Sequence, residues 1–264
     1  MSMFDGFRFR GTSSPIHQLD PRVKFIYACI MFVIAILFSQ FIPLLVLFFV
    51  QIPLVWTARI MKEWMRSMRA SAMFAVIIFA TNMLSYYFYG GYPSLSWLFE
   101  RAAAMTLRFI VLIESFSLFF LTTSPDHLGL ALEQSGVPYD ICFAFTTAVR
   151  FVPVLAEEAQ TILDAQKSRG LELEKGNFVK RIKNYIPVLI PLIVSAIRRS
   201  LELAEAMESR AWGAVEKRTN LYVLTMKKDD YLLILASVLM LGISVYVWLF
   251  IPVPSFTQLL SISA

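Results

Sequence analysis

Apolar residues run along this chain in long blocks separated by short basic or turn-forming breaks. The first block, 23–58, is about twice the ~20 residues that one membrane helix needs. Ser39-Gln40, with Pro43 just behind, interrupts it, so the pattern predicts a tight hairpin of two short helices, 23–39 and 41–58. A third block covers 70–89 and stops at the turn-forming cluster Gly90-Gly91-Tyr92-Pro93. Tyr86, Tyr87, Tyr89 and Tyr92 beside it form an expected interfacial aromatic belt. A fourth span is expected at 101–121 and a fifth at 231–252. Between the second and third, "ARIMKEWMRSMRA" (58–70) alternates apolar and basic residues and is expected to be a connector along the inner membrane surface.

Composition agrees with this pattern. Hydrophobic residues make up 58% of the chain, 23 of 264 residues are Phe, and mean hydropathy is +0.64, too apolar for one water-soluble core. The expected fold class is an all-α membrane protein with about five transmembrane helices. The segment before residue 23 is polar and Arg-containing rather than a short basic-apolar-small signal, so insertion is expected to be directed by the first internal apolar segment. Cys29 and Cys142 lie far apart in apolar runs and are read as packing residues, not as a disulfide framework or metal site.

Charge placement tests the span count independently. Arg8, Arg10, Arg22 and Lys24 precede the first span, and Arg59, Lys62, Arg66 and Arg69 follow the second. Both groups fall on one side only if 23–58 crosses twice. Fourteen more basic residues lie between Arg150 and Lys228. Outside that side stand Arg101, at the edge of span four, and Arg108 inside it. The implied layout is residues 1–121 as four membrane helices with a cytoplasmic N-terminus, 122–230 as a cytoplasmic domain, and 231–264 as a last membrane helix with the C-terminus outside.

The interior domain, 122–230, carries fourteen basic and fourteen acidic residues, a balance that argues against a nucleic-acid-binding surface. A break at 132–138 precedes one long helix over 139–169, with a kink expected at Pro153, and a second runs over about 182–210. Both begin apolar ("ICFAFTTAV", "IPVLIPLIVSAI"), in runs too short to span, and end charged ("EEAQTILDAQKSR", "RRSLELAEAMESR"). Each is expected to be a strut, anchored at its start and reaching into the cytoplasm.

The two struts end alike. "DAQKSRG" (164–170) and "EAMESRA" (205–211) align Asp164 with Glu205, Ala165 with Ala206, Ser168 with Ser209 and Arg169 with Arg210, at an offset of forty-one residues. One such ending is a helix cap, in which Arg complements the helix dipole and Gly170 supplies the left-handed residue. Two in register are read as a pair of plugs, whose guanidinium groups reach carboxylates or helix C-terminal carbonyls in two similar sockets.

These segments resemble the transmembrane T component of energy-coupling-factor transporters, through nearly the whole chain. "SPIHQLDPRVKFI" (14–26) is like that family's N-terminal segment, and "LTTSPDHLGLALEQSGVP" (121–138) like the stretch entering its coupling domain. "VRFVPVLAEEAQTILDAQKSRG" (149–170) and "LELAEAMESRAWG" (201–213) are similar to the two helices whose Ala-Arg-Gly-type ends dock into two ATPases. The resemblance implies a non-catalytic subunit joining two ABC-type ATPases to a membrane-embedded S component that selects a vitamin or other micronutrient. Ser168-Arg169-Gly170 would occupy one ATPase groove and Ser209-Arg210-Ala211 the other. Here Ser stands before each Arg, and Ala211 stands where glycine is usual; because Ala continues a helix where Gly ends it, the second tip is expected to extend towards Gly213.

The residues themselves offer no catalysis. The chain has no Gly-rich phosphate loop, and its two histidines, His17 and His127, are read as interfacial or capping residues, so neither cofactor nor metal is expected. Arg108 and Glu114 remain as intramembrane charges. Six residues apart, they lie about 240° round the helix and cannot pair with each other. Each needs a partner from another element, either an ion pair inside the bundle or a contact with the S component; one isolated carboxylate makes a poor proton relay. A self-contained transporter would show broken helices and internal repeats among its spans, and the chain has neither. A T component dedicated to cobalt, nickel or biotin is the nearer alternative, and the two-motif organisation leans towards the shared type.

Overall fold

A computed structural model of the chain describes residues 14–89, 95–171, 177–214 and 223–251. Among the described residues the regular structure is wholly helical, in eight helices: α1 (Pro21–Leu37), α2 (Phe41–Thr57), α3 (Met61–Tyr89), α4 (Leu95–Thr122), α5 (Pro125–Gln134), α6 (Tyr139–Ser168), α7 (Phe178–Glu208) and α8 (Lys228–Phe250). The expected turn at 90–93, with Tyr92 of the aromatic belt, lies outside the described residues.

The break at Ser39-Gln40 separates α1 from α2, as the pattern predicts. Asp20 caps α1, its side chain accepting the Arg22 N–H at 2.9 Å, and Pro21 takes the first helical position, where a missing N–H costs nothing. The connector expected at 58–70 is different: α3 begins at Met61 and runs unbroken to Tyr89. Arg59, with φ 57°, makes the turn after α2. Beyond it nothing in 61–89 interrupts the backbone, and Ile60 and Trp64 are drawn into the core.

α3, α4, α6 and α8 are long and apolar enough to cross a membrane, and α2 is a shorter apolar helix. The membership of α6 differs from the sequence reading, which took its apolar start as too short. Residues 139–156 carry only Asp140 and Arg150 as charges, so the stretch is apolar enough as a whole although each uncharged run within it is short.

The chain divides into two compact units. In the first, α4 packs against α1, α2 and α3, and α8 packs on α1. Tyr27, Met31, Ile34 and Ala35 of α1 recur at helical spacing and meet Leu44, Leu47 and Val55 of α2 and Ala104, Val111 and Leu118 of α4. The outward faces carry exposed Phe32, Phe49, Phe74, Phe88, Leu239, Ile243 and Trp248, the surface a lipid-facing bundle presents.

The second unit is built on α6 and α7. Gln166 Nε2 donates to the Pro187 carbonyl at 3.2 Å. Glu158 accepts from the Ser195 hydroxyl and pairs with Arg199 at 3.1 Å. Trp212, just past α7, packs on Phe143 and Tyr139 near the start of α6, with ring centroids 4.5 Å and 5.6 Å apart. Numbers rise on one helix as they fall on the other, so the two form an antiparallel hairpin. The strut expectation needs both tips at one end, and this pairing puts them at opposite ends. Sequence periodicity reports each helix's faces but carries no term for the direction of its neighbour.

Candidate functional site: two matched helix ends

Both Ser-Arg endings terminate their helices in the same way. After α6, the Gly170 N–H donates to the Lys167 carbonyl at 2.9 Å and the Leu171 N–H to Gln166 at 3.0 Å. After α7, the Ala211 N–H donates to Glu208 at 2.9 Å and the Trp212 N–H to Met207 at 3.0 Å. These are the 5→2 and 6→1 bonds of a Schellman cap, in register at both tips. Gly170 takes the left-handed residue at φ 88°, and Ala211 takes the same place at φ 59°.

That geometry corrects the expectation that α7 would extend towards Gly213. The helix stops at the register of the first copy although alanine adopts a left-handed backbone at a cost of about 1–2 kcal/mol. The turn at Ala211 swings Trp212 back onto Tyr139 and Phe143, and this aromatic packing offsets the strain.

Ser168, Arg169, Gly170, Ser209, Arg210 and Ala211 are all exposed. The two serine hydroxyls turn back into their own helices, Ser168 donating to the Asp164 carbonyl and Ser209 to Ala206, each at 2.9 Å. Neither Arg169 nor Arg210 has an ion-pair partner among the described residues. Each tip therefore offers a free guanidinium beside a left-handed turn, at the negative end of a long helix. The Gln166–Pro187 and Glu158–Ser195 pairs set Ser209 beside about residue 144, roughly 24 residues before Ser168, so the antiparallel pairing sets the tips roughly 36 Å apart along the hairpin.

The two intramembrane charges go to different places. Arg108 donates to the Phe38 carbonyl at 2.6 Å and to Ser39 Oγ at 3.3 Å, and so ties α4 to the corner between α1 and α2. Glu114 is fully buried, and among the described residues both its carboxylate oxygens lack a hydrogen-bond partner.

Sequence reading missed a buried polar clasp at one end of the first unit. The Asp230 carboxylate accepts the Asp20 N–H at 2.8 Å and the Lys227 N–H at 2.7 Å. Lys24 Nζ donates to the Thr122 carbonyl at 2.9 Å and to the His17 carbonyl at 3.2 Å, placing a cation on the negative end of α4. Asp20, Lys24 and Asp230 are buried. Together they pin the starts of α1 and α8, the end of α4 and the 14–20 turn, where the Ser14 hydroxyl meets His17 Nδ1 at 2.6 Å. Burial first, then the Lys24 charge, holds the His17 imidazole below its usual range, against a Leu121 backbone hydrogen bond that raises it. The local signals were the Asp-Pro start of α1 and the acidic first turn of α8; that they meet is a long-range fact.

The long apolar helices define an all-α membrane protein. Residues 12–221 match the CbiQ family of cobalt transport proteins. Among curated relatives, the energy-coupling factor transporter transmembrane protein EcfT of Clostridium kluyveri is 32% identical over 248 residues, covering 87% of this chain and 91% of its own. Its counterpart in Heliobacterium modesticaldum is 35% identical, covering 83% and 87%, and that of Staphylococcus aureus 33%, covering 81% and 85%. The chain belongs to this family of energy-coupling factor transporter transmembrane proteins.

Proposed function

We propose that the chain is the coupling subunit of an importer in which two ABC-type ATPases bind its two helix ends and a small membrane-embedded S component selects a vitamin or other micronutrient. The observation that carries this reading is the pair of caps with the same hydrogen-bond pattern at opposite ends of one hairpin. Two like plugs roughly 36 Å apart suit two like sockets on a pair of similar subunits. The interhelical bonds at Glu158 and Gln166 make the hairpin a lever, so that a change in the spacing of the sockets becomes a movement of the helices between them. ATP hydrolysis belongs to the partners. The excess of Lys and Arg at the matching helix ends supports a cell-membrane location with the N-terminus and hairpin cytoplasmic.

The test is co-purification from the native membrane in mild detergent, wild type against Arg169→Glu, Arg210→Glu and the double variant. Two ATPases and at least one small membrane protein arriving with the wild type, reduced in the single variants and with the ATPases lost from the double one, is the expected result. Retention of both ATPases by the double variant would sink the reading. The small proteins that arrive identify the substrate, and one alone, selective for cobalt, nickel or biotin, would make this a dedicated subunit.

A further inference from the structure

The junction of α1, α2 and α4 contains a polar cluster that the hairpin reading does not use. Glu114 of α4 is fully buried and both its oxygens are without a partner; the Tyr27 hydroxyl of α1, also buried, is unpartnered too and lies within electrostatic reach of it. Gln51 of α2 and Ser115 of α4 are the other buried polar side chains of this junction. They occupy each other: Gln51 Nε2 donates to the Val111 carbonyl at 3.4 Å, and the single Ser115 hydrogen is offered to that carbonyl at 2.9 Å or to Gln51 Oε1 at 3.1 Å.

Among the described residues no counter-charge reaches Glu114 from any packed element. On α1, Lys24 is committed to the Thr122 and His17 carbonyls beside Asp20 and Asp230. On α2 the facing group is the neutral Gln51. On α3, Lys62, Glu63, Arg66 and Arg69 are all exposed. On α4, Arg108 points to the α1–α2 corner. An ionised carboxylate enclosed in protein with no hydrogen bond and no counter-ion is the costliest arrangement a side chain can take. Something must neutralise it, and the smallest cation that fits without displacing the packed neighbours is a proton.

We propose that Glu114 is a proton-binding site, held as a neutral carboxylic acid in the membrane unit. Tyr27 and Ser115 border a cavity of about 20 Å³ that reaches Lys24 and Thr122, room for about one water molecule. Glu114 itself does not line that cavity; a water entering it would stand beside Tyr27, the group within electrostatic reach of Glu114, and with no second acidic side chain beside it among the described residues the site stores a proton rather than relaying one. Opening of the junction to water would release the proton, and closure would take it up.

The experiment is infrared difference spectroscopy of the full chain in lipid nanodiscs at neutral pH, wild type minus Glu114→Gln. The expected result is a carboxylic-acid C=O band present in wild type, absent in the variant and downshifted in D₂O. Gln keeps the shape and neutrality of the acid, so the variant is expected to fold. Should it not, wild type with ¹³C-labelled glutamate carboxyls reads the same band without a substitution. Carboxylate bands alone, or bands that move when Na⁺ replaces K⁺, would overturn the proposal, the second outcome by assigning the site to an alkali ion.

Discussion

Ala211 carries a left-handed backbone that glycine adopts freely, while Gly170 fills the matching place in the first tip. Replacing Ala211 by Gly is therefore expected to stabilise the hairpin by up to about 1 kcal/mol, the strain relieved less the extra freedom of unfolded glycine. Thermal melting in detergent measures it, and a fall in midpoint would mean that Trp212 depends on the alanine. His17 gives the other residue-scale prediction. Its folded pKa is depressed, so its contribution to stability is present above the unfolded value of about 6.5 and is lost as pH falls through and below it. The melting temperature should drop on acidification in that window, and His17→Gln should flatten this part of the profile. The chemistry of both positions is local, so a sequence names the candidates. Whether Ala211 follows its helix propensity or its neighbour's cap register is decided by Trp212 finding Tyr139 and Phe143.

Contacts at helix ends tie each unit together alongside its packed helix faces. In the first, Asp230 holds two backbone N–H groups from opposite parts of the chain. Asp230→Ala would leave both unsatisfied and Lys24 short of a counter-charge, an expected loss of roughly 3 kcal/mol and a lowered melting temperature. A change under about 0.5 kcal/mol, the scale of an ordinary surface substitution, would show that water replaces the carboxylate there. In the second, the antiparallel pairing of α6 and α7 predicts a long distance between the tips. Spin labels at Ser168→Cys and Ser209→Cys, with Cys29 and Cys142 replaced, should report roughly 36 Å. A short distance would restore the side-by-side struts that the apolar-then-charged pattern of each helix implies. Helix existence was legible because 3.6-residue periodicity and apolar length are local. Helix starts were less so: α3 begins where a surface connector was expected because Trp64 is buried, and burial is not written next to Trp64.

At the scale of the whole molecule, charge reversal at one tip should weaken capture of the ATPases and at both tips abolish it, whereas Asp230→Ala should lower stability without selecting between them. That contrast, read by co-purification, separates the docking ends from the clasp. The chain's own letters determined that it is an all-helical membrane protein, that 23–58 breaks into two helices at Ser39-Gln40, and that two like endings stand forty-one residues apart. These follow from hydrophobic length, periodicity and turn chemistry, each acting over a few residues. Tertiary structure alone decided that the endings face opposite ways, that Ala211 copies Gly170, that Asp20, Lys24 and Asp230 meet, and that Glu114 is enclosed without a partner. Each of those depends on which distant helix fills the neighbouring space, and side-chain packing is resolved only once all the helices are in place.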